Sequence, residues 1–350
     1  HAFTVPFPVD VLNGIYDTLG NKLTNEVNYA IMVYHGDIRA NGQYGWKKYR
    51  GVLVPGVFYV MATDGDRDTY RMKMRSGASV FAGNSMTYTA YRGSGAVTDR
   101  GWNGIGNPSL CYGTVALMVS VLNPETYEFV TYAASACNFV VGTPFFYQAD
   151  ADGTMTMATE GKPYYAPQMR GTESVIEDMK VYLGNAAHTD YIYVSANEEA
   201  ASSYEIGKDL VRMTMTNTPS VPRICAAAYG NKLSAINTPL VSGEAVVNLS
   251  LYAPEAGTYT LRVDEVADYN VYLMRGSELV WNMSNGQYEA ELVKGDNTEY
   301  SILLRRNAPS VATGMDIITA EDKVEKVILN GALYLIRDGK VYDSTGKAVR

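Results

Sequence analysis

Between Ala245 and Arg305 the chain alternates apolar and polar residues with a period of two, and this most constrains what it can fold into. Ala245, Val247, Leu249 and Leu251 are interleaved with Val246, Asn248 and Ser250. Tyr259, Leu261 and Val263 are interleaved with Thr258, Thr260, Arg262 and Asp264. Only an extended strand places alternate residues on one face, so each run predicts a strand with one buried side. The pattern continues through Tyr269 to Leu273, Leu279 to Trp281, Tyr288 to Leu292 and Tyr300 to Leu304. Glycines 257, 276, 286 and 295 punctuate it, and Asn285-Gly286 reads as a hairpin turn. Short strands at such intervals predict an antiparallel β-sandwich.

The same pattern recurs in miniature from Lys323 to Arg350. Val327-Ile328-Leu329, Leu333-Tyr334-Leu335-Ile336 and Val341-Tyr342 are separated by Asn330-Gly331 and Asp338-Gly339, the residues a type I′ turn favours. This predicts a small meander that must either pack on a neighbour or hang loosely, because so few strands bury too little alone. Residues 309–322 read as the linker before it. The first 165 residues also read as strands, with longer and less regular connections, and the segment from Cys111 to Leu122 is compatible with strand or helix. Val5-Pro6-Phe7-Pro8-Val9 leading to the aromatic run from Pro55 to Ala62, and Ile105 to Pro108 leading to the run from Gly142 to Ala149, suggest an internal pseudo-repeat. The expected architecture is therefore all-β: two β-sandwich or jelly-roll-like domains, 1–165 and 166–308, then the linker and a C-terminal β meander, 323–350.

Composition agrees with this class. Tyr contributes 28 residues against 8 Phe, and Gly 32, a balance suited to half-buried pleated surfaces joined by tight turns. A formal net charge of -8 with scattered Lys and Arg argues against nucleic acid as a partner. No apolar run is long enough for a transmembrane helix. His1-Ala2-Phe3 lacks the basic start and apolar core of a signal peptide, which implies a mature form or an excised fragment. Cys111, Cys137 and Cys225 match no metal-ligand spacing and read as three buried thiols, although one pair could bridge.

Catalytic signatures are missing from the sequence: there is no G-x-S-x-G elbow, H-E-x-x-H helix or phosphate-binding loop. His35 and His188 read as turn residues. A glycosidase pair of acids cannot be selected from sequence among 37 Asp and Glu. Asp64-Gly65-Asp66-Arg67-Asp68 resembles the start of a calcium loop, with Asp64, Asp66 and Asp68 as candidate Ca²⁺ ligands. Thr69 stands where an EF-hand needs Gly and Arg75 where it needs Glu, so a solvated hairpin tip is the competing reading. Tyr44, Trp46 and Tyr49, with Trp102, are candidate ligand-binding residues, as aromatic faces that could stack on a sugar ring; core packing of each Trp is the alternative.

Several segments resemble a known family. Gly101-Trp102-Asn103-Gly104-Ile105-Gly106-Asn107-Pro108 is similar to the GWNLIGNP signature of large secreted and surface β proteins of Bacteroidetes. Pro144 to Ala149 resembles their PFFVQA strand, Pro6 to Asp10 their FPFDV segment, Tyr204 to Leu210 their FDIGKDL segment and Ala256 to Leu261 their AGEYTL segment. Leu333 to Gly346 resembles their closing β tail. The chain departs from the pattern at Leu110-Cys111. The resemblance implies an exported, modular protein, extracellular or on the outer cell surface, and in some relatives the tail is a sorting signal. It carries over no catalytic residue. The expected function is thus an adhesin-like or structural surface β protein, without recognisable catalytic machinery, that meets a glycan or a host or cell-surface protein. The alternatives are a carbohydrate-binding module of a polysaccharide-processing apparatus and a glycosidase or peptidase whose site escapes sequence reading.

Overall fold

The computed structural model describes residues 1–64, 69–133, 138–163, 179–214, 218–264, 268–307, 325–329, 332–337 and 340–349. The fold is all-β, with one short α-helix, Gly36–Ala40, among the described residues. No helix among them is long and apolar enough to cross a membrane. The chain forms two compact units, one from His1–Ile176 with Met213–Met215, the other from Glu177–Arg212 with Thr216–Arg350.

The first unit contains two four-stranded antiparallel sheets with identical strand order. In one, Ala2–Phe3 lies beside Tyr59–Thr63, then Tyr29–Tyr34, then Trp46–Tyr49; in the other, Trp102–Gly106 lies beside Pro144–Gln148, then Val119–Leu122, then Phe129–Tyr132. Both follow the sequence order first, fourth, second, third. Met32 faces Val60 in the first sheet and Val119 faces Tyr147 in the second, both members displaced by the same interval. A three-stranded sheet of Cys111–Thr114, Gly153–Pro163 and Ser85–Ala90 completes this unit with two short strand pairs. Cys111 to Leu122 thus resolves into two strands, not a helix.

Side-chain alternation decides what each strand buries. Tyr29, Ile31 and Val33 point into a core with Val9, Ile15, Leu53, Tyr59 and Met61. The Pro144–Gln148 strand is buried at every position, because Phe145 and Tyr147 join a second core with Ile105, Val119 and Met157. On its other face Phe146 meets Phe58 at 4.6 Å and Tyr34 at 4.8 Å between ring centroids. A continuous apolar run is the expected sequence of a strand covered on both sides.

In the second unit the longest sheet path runs Glu278–Asn282, Tyr269–Arg275, Tyr300–Arg306, Glu244–Ala253, Arg223–Ala228, Asn231–Pro239, Thr189–Asn197, Met179–Gly184, Gly257–Val263, Tyr288–Leu292. Glu244–Ala253 joins its halves: Glu244 to Asn248 pair with Tyr300–Arg306, and Leu249 to Tyr252 pair with Arg223–Ala228. The strands at the two ends of the path are neighbours in sequence, linked by the 3₁₀ turn Met283–Asn285, so the sheet folds over on itself. Asn285-Gly286 is consequently not a hairpin turn. The strands flanking it pair elsewhere, and the Asn282 side chain accepts a hydrogen bond from Ser284 N at 3.0 Å, turning the chain from one edge to the other.

One pairing departs from the expected antiparallel order. Thr189–Asn197 runs parallel to Asn231–Pro239. The chain leaves the first of these and passes Leu210–Val211 and Arg223–Ala228. It then reverses at Tyr229-Gly230, both with positive φ, so that it re-enters in the original direction.

The C-terminal strands Glu325–Leu329, Ala332–Arg337 and Lys340–Asp343 form the expected antiparallel meander. Val327, Ile336 and Val341 are buried in one cluster with Tyr272, Met274, Leu279 and Leu303. Val271, Leu273, Ile302 and Leu304 on the opposite face are buried too. The strands Tyr269–Arg275 and Tyr300–Arg306 therefore bury both faces where alternation predicted one. The linker 309–322 and the Asn330-Gly331 and Asp338-Gly339 turns lie outside the described residues.

Candidate functional site

The structure does not assemble the expected aromatic platform. Trp102 is 5% exposed, and its indole N–H donates to Thr98 O at 3.1 Å. Trp46 is half-buried and set edge-on against Tyr34 (5.2 Å, 69°) and Phe58 (5.5 Å, 88°), so its ring is committed to aromatic packing. Tyr49 tilts against Tyr59 at 5.4 Å and donates its hydroxyl to Val52 O at 2.7 Å. Of the four, only Tyr44 is fully exposed. Core packing wins at Trp46 because its ring meets Tyr34 of its own sheet, Phe58, and Phe146 of the other four-stranded sheet, and burying so large an apolar surface outweighs leaving it wet.

Of the calcium candidates, Asp66 and Asp68 lie outside the described residues. Asp64 accepts a hydrogen bond from Asn28 Nδ2 at 3.0 Å. Among the described residues no three His, Cys, Asp or Glu converge as a metal site. His35 precedes the Gly36–Ala40 helix with Nδ1 3.8 Å from Asp37 Oδ1, and His188 sits in an exposed turn with its N–H bonded to Asn185 Oδ1. Cys225 is buried, which pushes its thiol up to about 11; Cys111 is half-buried, and Cys137 lies outside the described residues.

The motif residues that looked like signatures hold loops in place. Asn107 is fully buried: Nδ2 donates to Cys111 O and Phe139 O at 2.9 and 2.7 Å, and Oδ1 accepts from Ser109 N at 2.9 Å. In Tyr204 to Leu210, Asp209 is buried and accepts from Glu205 N at 2.7 Å and Asn237 N at 2.8 Å, fastening a loop to the Asn231–Pro239 strand. Burial raises the Asp209 carboxyl above the usual carboxylate range, despite those two donors.

Asn103 does something further. It is 3% exposed on the Trp102–Gly106 strand, and Oδ1 accepts from Tyr91 N at 3.0 Å while Nδ2 donates to Tyr91 O at 2.9 Å and Gly101 O at 2.7 Å. It also lies against Gly36, where an added Cβ would come within 2.6 Å of Oδ1. One buried amide therefore bonds the Tyr91 segment and packs against the start of the Gly36–Ala40 helix.

Between these two elements is an open depression of about 430 Å³, lined among others by Asp37, Asn41, Thr89, Tyr91, Gly93 and Asp152. Its other walls are fixed as well. Gly93 adopts φ +67° against the helix end, where a side chain would overlap the Ala40 carbonyl; Ser94 N donates to that carbonyl at 3.2 Å. Asp152 Oδ1 accepts from Arg92 N at 2.6 Å, and Asn41 Nδ2 donates to Asp37 O at 3.0 Å. The Asp37 side chain is 54% exposed, and Tyr91 is 37% exposed. The lining of the depression thus includes two acids, an asparagine, a threonine and a tyrosine among small apolar residues, on a frame held by these bonds.

Sequence reasoning passed over these residues because each sits in an ordinary turn or strand end. The one available signal was Asn103 within Gly101 to Pro108, a polar residue in an otherwise apolar strand. A second depression, of about 400 Å³, lies in the other unit and is lined by Ser202, Tyr229, Thr238 and Asn248 together with small apolar side chains. Aromatic side chains also gather on the strands around Tyr182. There the Arg262 guanidinium lies 3.5 Å over the Tyr182 ring and Lys180 covers Tyr191 and Tyr193, so these rings already have internal partners. Comparison with protein-family models, curated proteins and solved structures yields no match to this chain.

Proposed function

We propose that this chain is a secreted or surface-exposed, adhesin-like β protein whose first unit holds a ligand in the depression between Asp37 and Asp152. The carrying observation is that the buried Asn103 amide bonds one wall of that depression and packs against another, while Asp37, Asp152 and Tyr91 in its lining stay open to solvent. Recognition commonly resides in loops held by a rigid sheet, and fixing their backbone beforehand reduces the entropy lost on binding. The similarity of the Gly101 to Pro108 and Tyr204 to Leu210 segments to Bacteroidetes surface proteins supports an exported location. In this reading the partner is a glycan or a cell-surface protein, and the second unit with its meander is structural.

Binding is favoured over hydrolysis by the surroundings of the two acids. A glycosidase needs one carboxyl kept protonated by a dry wall. Asp37 and Asp152 are both exposed at an open mouth.

The test is adhesion of the full chain to surfaces coated with mucin, fibronectin or collagen, compared with the Asp37→Asn/Tyr91→Ala double variant. Binding by the parent chain that the double variant loses is expected. Equal binding by both would overturn the assignment.

A further inference from the structure

We infer that the Asp37–Asp152 depression is a carbohydrate site, taking a neutral or amino, hydroxyl-rich sugar rather than an anionic one; this rests on the adhesive reading above and names its ligand. Charge comes first. Among the described residues, those that line the depression include two carboxylates, Asp37 and Asp152, and no Lys, Arg or His. Two carboxylates without a lining cation disfavour anionic ligands, so a sugar bound here is uncharged or carries an amino group.

The kinds of residue that line the depression are the second consideration. Carboxylate oxygens accept hydrogen bonds and cannot donate, and an amide does both, so Asp37, Asp152 and Asn41 complement neighbouring hydroxyls that donate and accept. Hydrogen bonds to ionised acceptors are the stronger ones, which gives a neutral polyol affinity without charge. The partly exposed Tyr91 ring offers an apolar surface to the C–H face of a pyranose. Ala40, Ala90, Gly93 and Gly153 leave room at the walls, and about 430 Å³ lies within the usual range of small-ligand sites, roughly 300–1,000 Å³.

Pre-organisation is the third. Tyr91 is held by its backbone N–H and carbonyl, both bonded to Asn103, so its side chain contributes no bond to the frame that holds it. Asp152 uses Oδ1 on Arg92 N, and only its other oxygen is needed for a ligand. The Asp37 carboxylate and the Tyr91 hydroxyl make none of these frame bonds, so they can be altered without removing one.

The full chain should be applied to an array of neutral, amino, sialylated and sulfated glycans, and the strongest signal then titrated calorimetrically. Neutral or amino glycans should bind. Asp37→Asn and Tyr91→Ala should each weaken binding by about tenfold or more, the loss expected for one charge-assisted hydrogen bond or one aromatic contact. Tyr91→Phe, which keeps the ring, should stay within about threefold of the parent. Val293→Ala, in the other unit, should change nothing. If Tyr91→Ala fails to fold by circular dichroism, Asp37→Asn and Tyr91→Phe still decide. Signals confined to sulfated or sialylated glycans, or no glycan signal at all, would overturn the inference, as would glycan binding indifferent to Asp37→Asn. Variant-sensitive adhesion that survives enzymatic deglycosylation of the coated surface would refute the sugar while leaving the adhesive reading intact. Adhesion insensitive to every substitution in the depression would remove both.

Discussion

Replacing Asn103 by Ala removes one side chain and three hydrogen bonds. It strands Tyr91 N and Tyr91 O beside a site that is 3% exposed, while Gly101 O keeps its hydrogen bond from Ala149 N at 2.7 Å. A buried polar group left without a partner costs about 1–3 kcal/mol, and a water entering the vacated space would recover part of the two penalties. The expected loss is therefore about 2–4 kcal/mol, a large share of the roughly 5–15 kcal/mol that holds an ordinary domain folded. For a unit of this size that corresponds to a fall in Tm of about 10 °C. Urea unfolding followed by tryptophan fluorescence gives the measurement, since Trp102 is buried on the same strand. Asn103→Asp sharpens it. The carboxylate keeps the acceptor for Tyr91 N but turns its second oxygen towards two carbonyls, so this variant should be at least as damaging at neutral pH. Burial beside those carbonyls would raise the new carboxyl above the unfolded value, and the variant should regain stability as pH falls through that raised value and the acid can donate again. A loss below about 1 kcal/mol for Asn103→Ala would refute the claim that this amide holds the frame.

Other perturbations probe the second unit. Arg212 and Asp190 form a buried ion pair at 2.8 Å, side chains 2% and 12% exposed; Arg212→Ala should cost about 3–5 kcal/mol by urea unfolding, and the Arg212→Met/Asp190→Leu pair should recover most of it. Asp209 is held above its unfolded value by burial, so its contribution to stability falls as pH rises from the ordinary carboxylate value through the raised one. The stability gap between the parent and Asp209→Asn should widen on acidification across that window, and a constant gap would count against it. In the native protein a thiol reagent should modify Cys111 well before Cys225, whose thiol is buried and raised to about 11; peptide mass mapping reads the order. Ile336→Ala should lower the stability of the second unit by about 2–4 kcal/mol, because this side chain is buried with Tyr272 and Leu303, and a negligible cost would mean the meander unfolds separately.

The aromatic candidates show what a single sequence cannot decide. A Trp beside Tyr residues reads equally as a sugar platform or a core wedge, and the choice depends on whether another sheet covers it. Here Tyr34, Phe58 and Phe146, distant in sequence, are what enclose Trp46. Asn285-Gly286 misled for a related reason. Its turn chemistry is sound, but the strands on either side find partners elsewhere, and the residues serve a crossing between sheet edges.

Strand after strand was legible in the residues themselves, because backbone extension, side-chain alternation and the φ preferences of turn residues act over a few positions. The all-β class, the meander and the regularity after Ala245 belong to that short range. Tertiary structure decided which strand lies beside which, including the parallel pairing of Thr189–Asn197 with Asn231–Pro239 and the burial of both faces under the meander. It alone also brought Asp37, Tyr91 and Asp152 around one depression, with Tyr91 bonded to an asparagine on a fourth segment. Such proximity depends on the closure of long loops, which leaves no mark in the local pattern of the chain.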